Sequence, residues 1–187
     1  MANKKRKCRN CKEYGIVTDG LVINNGFYCC SDCATEYAIN NAYKVAEKKR
    51  REKHKLDKEL VKTRSEWIRE AQTAFNAFIR ERDKGLPCIS CGKHHTGQYH
   101  AGHYFTTGAH PERRFQEINC HKQCSVCNNH LSGNLLEYRK GLIARYGQEY
   151  LDELEKPVPQ IKLTIEDIKD IKNKYKKELK ELQSSKS

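Results

Sequence analysis

The sequence contains no run of about 18 apolar residues, the length a helix needs to cross a bilayer, so a membrane-spanning helix is excluded. Apolar residues are scarce overall, 37% against 32% charged, and the mean hydropathy is −0.91. A chain of 187 residues with that composition cannot build one large hydrophobic core. Small metal-held units flanked by exposed charged helices suit it better. The basic start, Lys4-Lys5-Arg6-Lys7, is followed by no apolar stretch, so a secretory signal is not expected. There is no internal repeat; the two cysteine clusters differ in spacing.

Positive charge and cysteine are what the chain has in excess. A formal net charge of +12 favours association with polyanions, nucleic acid first and an anionic membrane surface second. The ten cysteines fall largely in C-x2-C pairs, which points to metal-bound thiolates in a reducing compartment rather than to disulfides. Cys88 and Cys91 pair with Cys124 and Cys127, and two such turns give zinc the tetrahedral thiolate shell it accepts. Residues 92–123 lie between the pairs, an insertion longer than a simple finger needs. Cys120 reads as a small buried apolar residue, and His121 is open between a core or supporting role and direct catalysis. Near the N-terminus, Cys8 and Cys11 form another pair, completed by Cys33 with either Cys29 or Cys30. Spacing leaves that choice open. The turn-rich stretch around Asn24-Asn25-Gly26 predicts a hairpin that brings these cysteines together.

Four segments follow: an N-terminal zinc knuckle over 1–33, a basic helical linker over 34–64, a zinc-containing core over 65–155 and a C-terminal helical extension over 156–187. The linker has no glycine or proline and is rich in Lys and Arg, as a helix resting on phosphates would be. Residues 66–83 predict an amphipathic helix capped by Ser65, with Trp67, Ala71, Ala74, Phe75 and Phe78 on one core face. Helices are expected over Leu135–Tyr146, ended by Gly147, near Glu149–Leu154, and from Thr164, where Thr164 and Asp167 have capping-box spacing. The last helix should pack on the core.

Histidine and asparagine gather between and after the central cysteines: His100, His103, Asn119, His121, Asn128, Asn129 and His130. Beside a rigid zinc knuckle they could serve a metal-assisted hydrolase. An imidazole would act as general base, a carboxamide or second imidazole would hold a divalent ion, and basic side chains would steady charge on phosphorus.

The block Cys88-x2-Cys91, Gly102-His103, Asn119 and Cys124-x2-Cys127-Asn128 looks like the HNH endonuclease motif, a ββα-metal unit with a structural zinc. Over most of its length the chain resembles the NinG (Rap) recombination proteins of lambdoid phages. The phrases that carry this are Phe75-Asn76-Ala77-Phe78-Ile79-Arg80-Glu81-Arg82-Asp83, Leu86-Pro87-Cys88-Ile89-Ser90-Cys91-Gly92, Ala101-Gly102-His103-Tyr104 and His121-Lys122-Gln123-Cys124. The resemblance implies an α+β fold with a small HNH ββα-metal, treble-clef-like core. It implies His103 as general base, Asn119 as the residue that orients it or fixes the loop, and Asn128 as a metal ligand. His130 is a nearby candidate for metal or phosphate contact. Many HNH enzymes carry Asp or His before the base, where this chain has Gly102; His100 is the candidate substitute, and otherwise His103 is itself the metal ligand and the base is unassigned. Also implied are two structural zinc ions, a catalytic magnesium or manganese ion and branched DNA as substrate. Phage or host recombination proteins would be partners, in the bacterial host cytoplasm. A homodimer is a hypothesis from the need for two cuts in a junction. The alternatives are a non-catalytic DNA-binding or recombination adaptor on the same scaffold and a zinc-stabilised protein–protein module.

Overall fold

A computed structural model describes residues 4–185. The chain divides into two compact units, one up to Lys62 and one from Thr63 onward.

In the first unit, β1 (Lys5–Lys7) pairs antiparallel with β2 (Tyr14–Ile16), and β3 (Leu21–Ile23) with β4 (Gly26–Tyr28). Asn24 and Asn25 join the second pair with φ of 47° and 57°, the left-handed backbone a tight hairpin turn demands and asparagine tolerates. The core is small: Cys8, Phe27 and Tyr28 are buried, with Val17, Ala34 and Tyr37 packed against them. α1 (Ser31–Leu60) then runs for 30 residues, about 45 Å, with no residue buried. It therefore begins inside the expected knuckle. Its basic residues all fall between Lys44 and Lys58, inside the expected 34–64 segment, but they share one continuous helix with the end of the cysteine cluster.

The second unit is built on one hairpin. β5 (Tyr99–His103) pairs antiparallel with β6 (Cys120–Cys124), setting Gly102 opposite His121 and His103 opposite Cys120. Successive strand residues face opposite sides. On the Cys120 side lies a core of Ala74, Phe75, Phe78, Ile79 and Tyr175. These come from α2 (Arg64–Arg82) and α5 (Ile165–Ser184). The Tyr175 ring meets Phe75 edge-on at 4.8 Å, and its hydroxyl donates to the Phe115 carbonyl at 3.2 Å. The expected C-terminal extension is thus part of the second unit's core. A second apolar group, Ile89, Tyr104, Tyr138, Leu142, Leu151 and Leu154, brings in α3 (Leu135–Tyr146) and α4 (Gln148–Glu155). Gly141 makes their fit possible, since a Cβ there would collide with the Ile89 carbonyl oxygen.

Helix α2 starts one residue before the predicted cap. Thr63, not Ser65, caps it: the Thr63 hydroxyl accepts from Glu66 N, and the Glu66 carboxylate accepts from Thr63 N at 2.8 Å. The Thr164–Asp167 capping box on α5 is present as the spacing predicts. Among the described residues no helix is long and apolar enough to cross a membrane.

Candidate active site

All ten cysteines are free thiols, and eight of them gather in two groups of four. Within each group the sulfurs lie within 4.8 Å of one another. Four thiolates around zinc at about 2.3 Å stand about 3.8 Å apart, so both groups suit a tetrahedral ion. The first group is Cys8, Cys11, Cys29 and Cys33. Cys30 is outside it, which corrects its inclusion among the candidate ligands. Its sulfur accepts from Cys33 N at 3.4 Å and caps α1, turning the side chain to the helix end. Burial works to raise the Cys8 thiol, but backbone N–H groups of Cys29, Cys11 and Asn10 outweigh it and bring Cys8 down to about 6. That favours the thiolate a metal requires.

The second group is Cys88, Cys91, Cys124 and Cys127. Cys124 N donates to the Cys88 sulfur at 3.3 Å, Asn134 Nδ2 to the Cys127 sulfur at 3.5 Å, and the His95 ring lies 3.2 Å from the Cys91 sulfur. Donors aimed at thiolates are the outer layer a zinc site needs. Cys120 belongs to neither group; it is fully buried, and burial pushes its thiol well up.

His103 and Asn128 line one cleft of about 340 Å³, together with Tyr104, Thr106, Thr107, Ser132 and Leu135. His103 comes from the end of β5 and Asn128 from a π-turn, Val126–His130, that follows β6. Such turns are frequent at functional sites. The three residues after Leu131 are all left-handed, with φ of 48° at Ser132, 88° at Gly133 and 44° at Asn134. The His103 Nε2–H donates to the Arg114 carbonyl at 3.0 Å, which leaves Nδ1 as the basic nitrogen, 3.7 Å from the Cys120 sulfur. Burial lowers the His103 pKa, with a smaller contribution from the Arg114 charge, so the ring is neutral at pH 7.

Asn119 is fully buried behind the cleft. Its Oδ1 accepts from Phe105 N at 2.8 Å, and its Nδ2 donates to the carbonyls of Phe105 and Arg113 at 3.0 and 3.2 Å. It fixes the loop after β5 rather than touching His103. His100 lies beside Asn129, 3.4 Å from its Nδ2, and outside the residues that line the cleft. His130 is exposed at the end of the π-turn.

His121 is a core residue. The Tyr138 hydroxyl donates to the Gly102 carbonyl at 2.8 Å, so it accepts from His121 Nδ1–H at 3.1 Å. Nε2 then accepts from the Tyr150 hydroxyl at 3.0 Å.

The family model described as Bacteriophage Lambda NinG protein matches residues 1–185. The chain belongs to the NinG family. It is 47% identical over 197 residues to Protein ninG of Escherichia phage 933W, covering 98% of this chain and 96% of the relative. Protein ninG of Escherichia phage lambda is 46% identical over 199 residues, and that of Salmonella phage P22 45%, with the same coverage. No solved structure matches the chain.

In this NinG-family chain, the glycine before His103 has a local cause. A Cβ on Gly102 would collide with Gln123 Oε1. Gln123 is fully buried, with Nε2 donating to Ser90 Oγ at 2.6 Å and to the Gly133 carbonyl. Its Oε1 has no partner. The oxygen thus occupies the space a side chain at 102 would need. Sequence reasoning passed over Gln123, although a glutamine between two core positions of a buried strand was a visible anomaly. It passed over Arg114 as well, whose Nη2 donates to the Thr107 carbonyl on the cleft wall at 3.0 Å.

No Asp or Glu is among the residues lining the cleft; its donors are Asn128, hydroxyls and one imidazole. Magnesium is ordinarily held by one or two carboxylates together with substrate phosphates. A cleft lined this way offers a hard cation only the Asn128 carboxamide, hydroxyls and an imidazole.

Proposed function

We propose that this chain is a metal-dependent endonuclease of the HNH type that cuts branched DNA during phage recombination. The observation that carries the reading is the shared cleft of His103 and Asn128, set directly after a four-cysteine cluster. The order hairpin, turn, helix over β5, β6 and α3 agrees with a ββα-metal unit. Membership of the NinG family and the net charge of +12 agree with a DNA substrate.

Zinc at Cys88, Cys91, Cys124 and Cys127 would be structural, since four thiolates leave no open position. A divalent ion at Asn128 would supply charge stabilisation to the phosphate and its leaving oxygen. The rest falls to the chain's own groups. Turning the His103 ring away from the Arg114 carbonyl and the Cys120 sulfur when substrate binds would free a ring nitrogen to take a proton from the attacking water. The water oxygen forms a bond to phosphorus as the P–O ester bond breaks, and the leaving oxygen is protonated from solvent. Asn119 keeps the loop from Phe105 to Arg113 in place. Arg114 stands behind the cleft lining, its guanidinium bonded to the Thr107 carbonyl, and would have to leave that carbonyl to meet the phosphate.

Incubation with branched and linear DNA in magnesium or manganese tests this. Wild type should cut the branched substrate only with the metal, and His103→Ala should bind without cutting. Binding by wild type without any metal-dependent cleavage would overturn the enzymatic reading. One observation favours a second reading, a non-catalytic adaptor: both His103 nitrogens face protein atoms and no carboxylate lines the cleft. That adaptor would show salt-dependent binding that His103→Ala leaves untouched, with no cleavage in either protein.

A further inference from the structure

The beginning of α3 exposes apolar side chains where a surface helix would bury or avoid them. Leu135 is 53% exposed and Leu136 69%, and Leu131, just before the left-handed loop, is 52% exposed. None of the three belongs to any buried apolar cluster of the second unit. Their place is specific, because Leu135 lines the same cleft as His103 and Asn128, and Ser132 and Gly133 beside Leu131 line it too.

The next turn of the same helix face is basic. Arg139 and Lys140 follow Leu135 and Leu136 by four residues, which stacks them one turn on. Arg139 is half-buried and held by Glu155 and the hydroxyl of the buried Tyr104, whereas Lys140 is exposed and paired with Glu137 at 2.7 Å. An exposed pair such as Lys140–Glu137 is worth little, so Lys140 is the cation most readily given up to a phosphate, with Arg139 fixed behind it. A leucine pair at the mouth of the cleft, with cations behind it, has the layout of a wedge and its grip. The cations hold the sugar-phosphate strand, and the leucines meet whatever apolar surface that strand presents. On intact duplex DNA that surface is stacked away. At a branch point it is open.

We propose that Leu135 and Leu136, supported by Leu131, pack against unstacked bases at a DNA branch and so select branched over linear substrates. Apolar side chains inserted beside base steps are an established way for proteins to trade stacking for contact. A base that is already unstacked costs less to engage, and that difference is the source of selectivity. The inference rests on the reading of the cleft as a DNA site, but it does not require the cleft to cut.

The test uses the full-length His103→Ala chain, which removes cleavage from the measurement, on a three-way junction and a linear duplex carrying 2-aminopurine at the corresponding position. Binding should change 2-aminopurine fluorescence at the branch and leave it unchanged in the duplex. Adding Leu135→Ser and Leu136→Ser should remove that change and lower the junction-to-duplex affinity ratio at least fivefold, with duplex affinity kept within about twofold. Unchanged zinc content and circular dichroism would show that the variant folds. A variant with the same fluorescence change and affinity ratio overturns the proposal. So does a variant whose DNA-free sedimentation mass drops, since the leucines would then cover a second copy of the chain. Cleavage by the otherwise wild-type chain is measured separately. If wild type never cuts but the fluorescence result holds, the endonuclease reading fails and the wedge stands.

Discussion

At the scale of single residues, His121 shows how burial converts a titratable group into a structural one. Its pKa falls to about 3, through burial first and the Arg82 charge second. In an unfolded chain an imidazole titrates near about 6.5. Between those values the unfolded chain holds a proton that the folded chain does not. Stability conferred by neutral His121 is therefore complete above about 6.5 and is lost as pH falls below it, by up to about 1.4 kcal/mol per pH unit. Cysteine ligands also take up protons on acidification, so the informative quantity is a difference. Urea midpoints measured from pH 7 to pH 5 should fall more steeply for wild type than for His121→Gln. Parallel slopes would show that His121 does not carry this dependence. Gly102 and Gln123 make a second residue-scale case. Gly102→Ala forces a methyl group onto Gln123 Oε1 and should cost about 1–3 kcal/mol, as overpacking does. In a Gln123→Ala background the same change should cost much less, with a coupling of about 1 kcal/mol or more in a double-mutant cycle of unfolding free energies.

At the scale of elements, the division between Cys29 and Cys30 follows from where α1 begins. The residue that caps the helix turns its sulfur to the helix N-terminus, and the one before it is left for the metal. Cys29→Ser should lower bound zinc from two ions per chain to one, whereas Cys30→Ser should keep both because serine is itself a good cap. Atomic absorption on dialysed protein reads this directly; loss of an ion from Cys30→Ser would reverse the assignment. Nothing in the spacing could have made this choice, since one residue of offset in a C-x2-C or C-x3-C turn satisfies a metal equally well. The start of α2, by contrast, was legible in the sequence although the Ser65 expectation missed it. Ser65 and Thr63 are both good caps, and only Thr63 has a glutamate three residues on to close the box. The helix over Leu135–Tyr146 was legible because Gly147, with φ of 89°, is a stop any reader of sequence can see. The stripe on α5 was legible too, but a stripe names no partner; that it seals the Cys120 side of the hairpin with α2 is a matter of packing. In the site, His103 and Asn128 were both readable. The loop-clamping bonds of Asn119, the bond from His103 to the Arg114 carbonyl and the unpartnered oxygen of Gln123 were not, because each depends on long-range contacts.

At the scale of the whole molecule, charge is divided unequally. Up to Lys62 there are fifteen Lys and Arg against eight Asp and Glu, so this third of the chain supplies +7 of the +12. Eight of those cations lie on α1, where no residue is buried; Arg50 and Arg51 are paired with Glu47, and the lysines face solvent. DNA affinity should fall linearly on a log–log plot against salt. Replacing Lys48, Lys49, Lys53 and Lys55 by glutamine should flatten the slope by roughly 0.9 for each phosphate that is no longer neutralised. An unchanged slope would remove α1 from the DNA-binding surface. The two cysteine groups divide the chain as cleanly as the charge does, for each takes all four ligands from its own unit. The consequence is one of timing. Chains emerge from the ribosome at about 5–20 residues per second, N-terminal units first. Cys33 is therefore made seconds before Cys88, and the first four thiols can be committed to an ion before the second set exists. Order of synthesis keeps the sets apart; a chain refolded at full length has no such protection and would have to sort eight competing thiols at once.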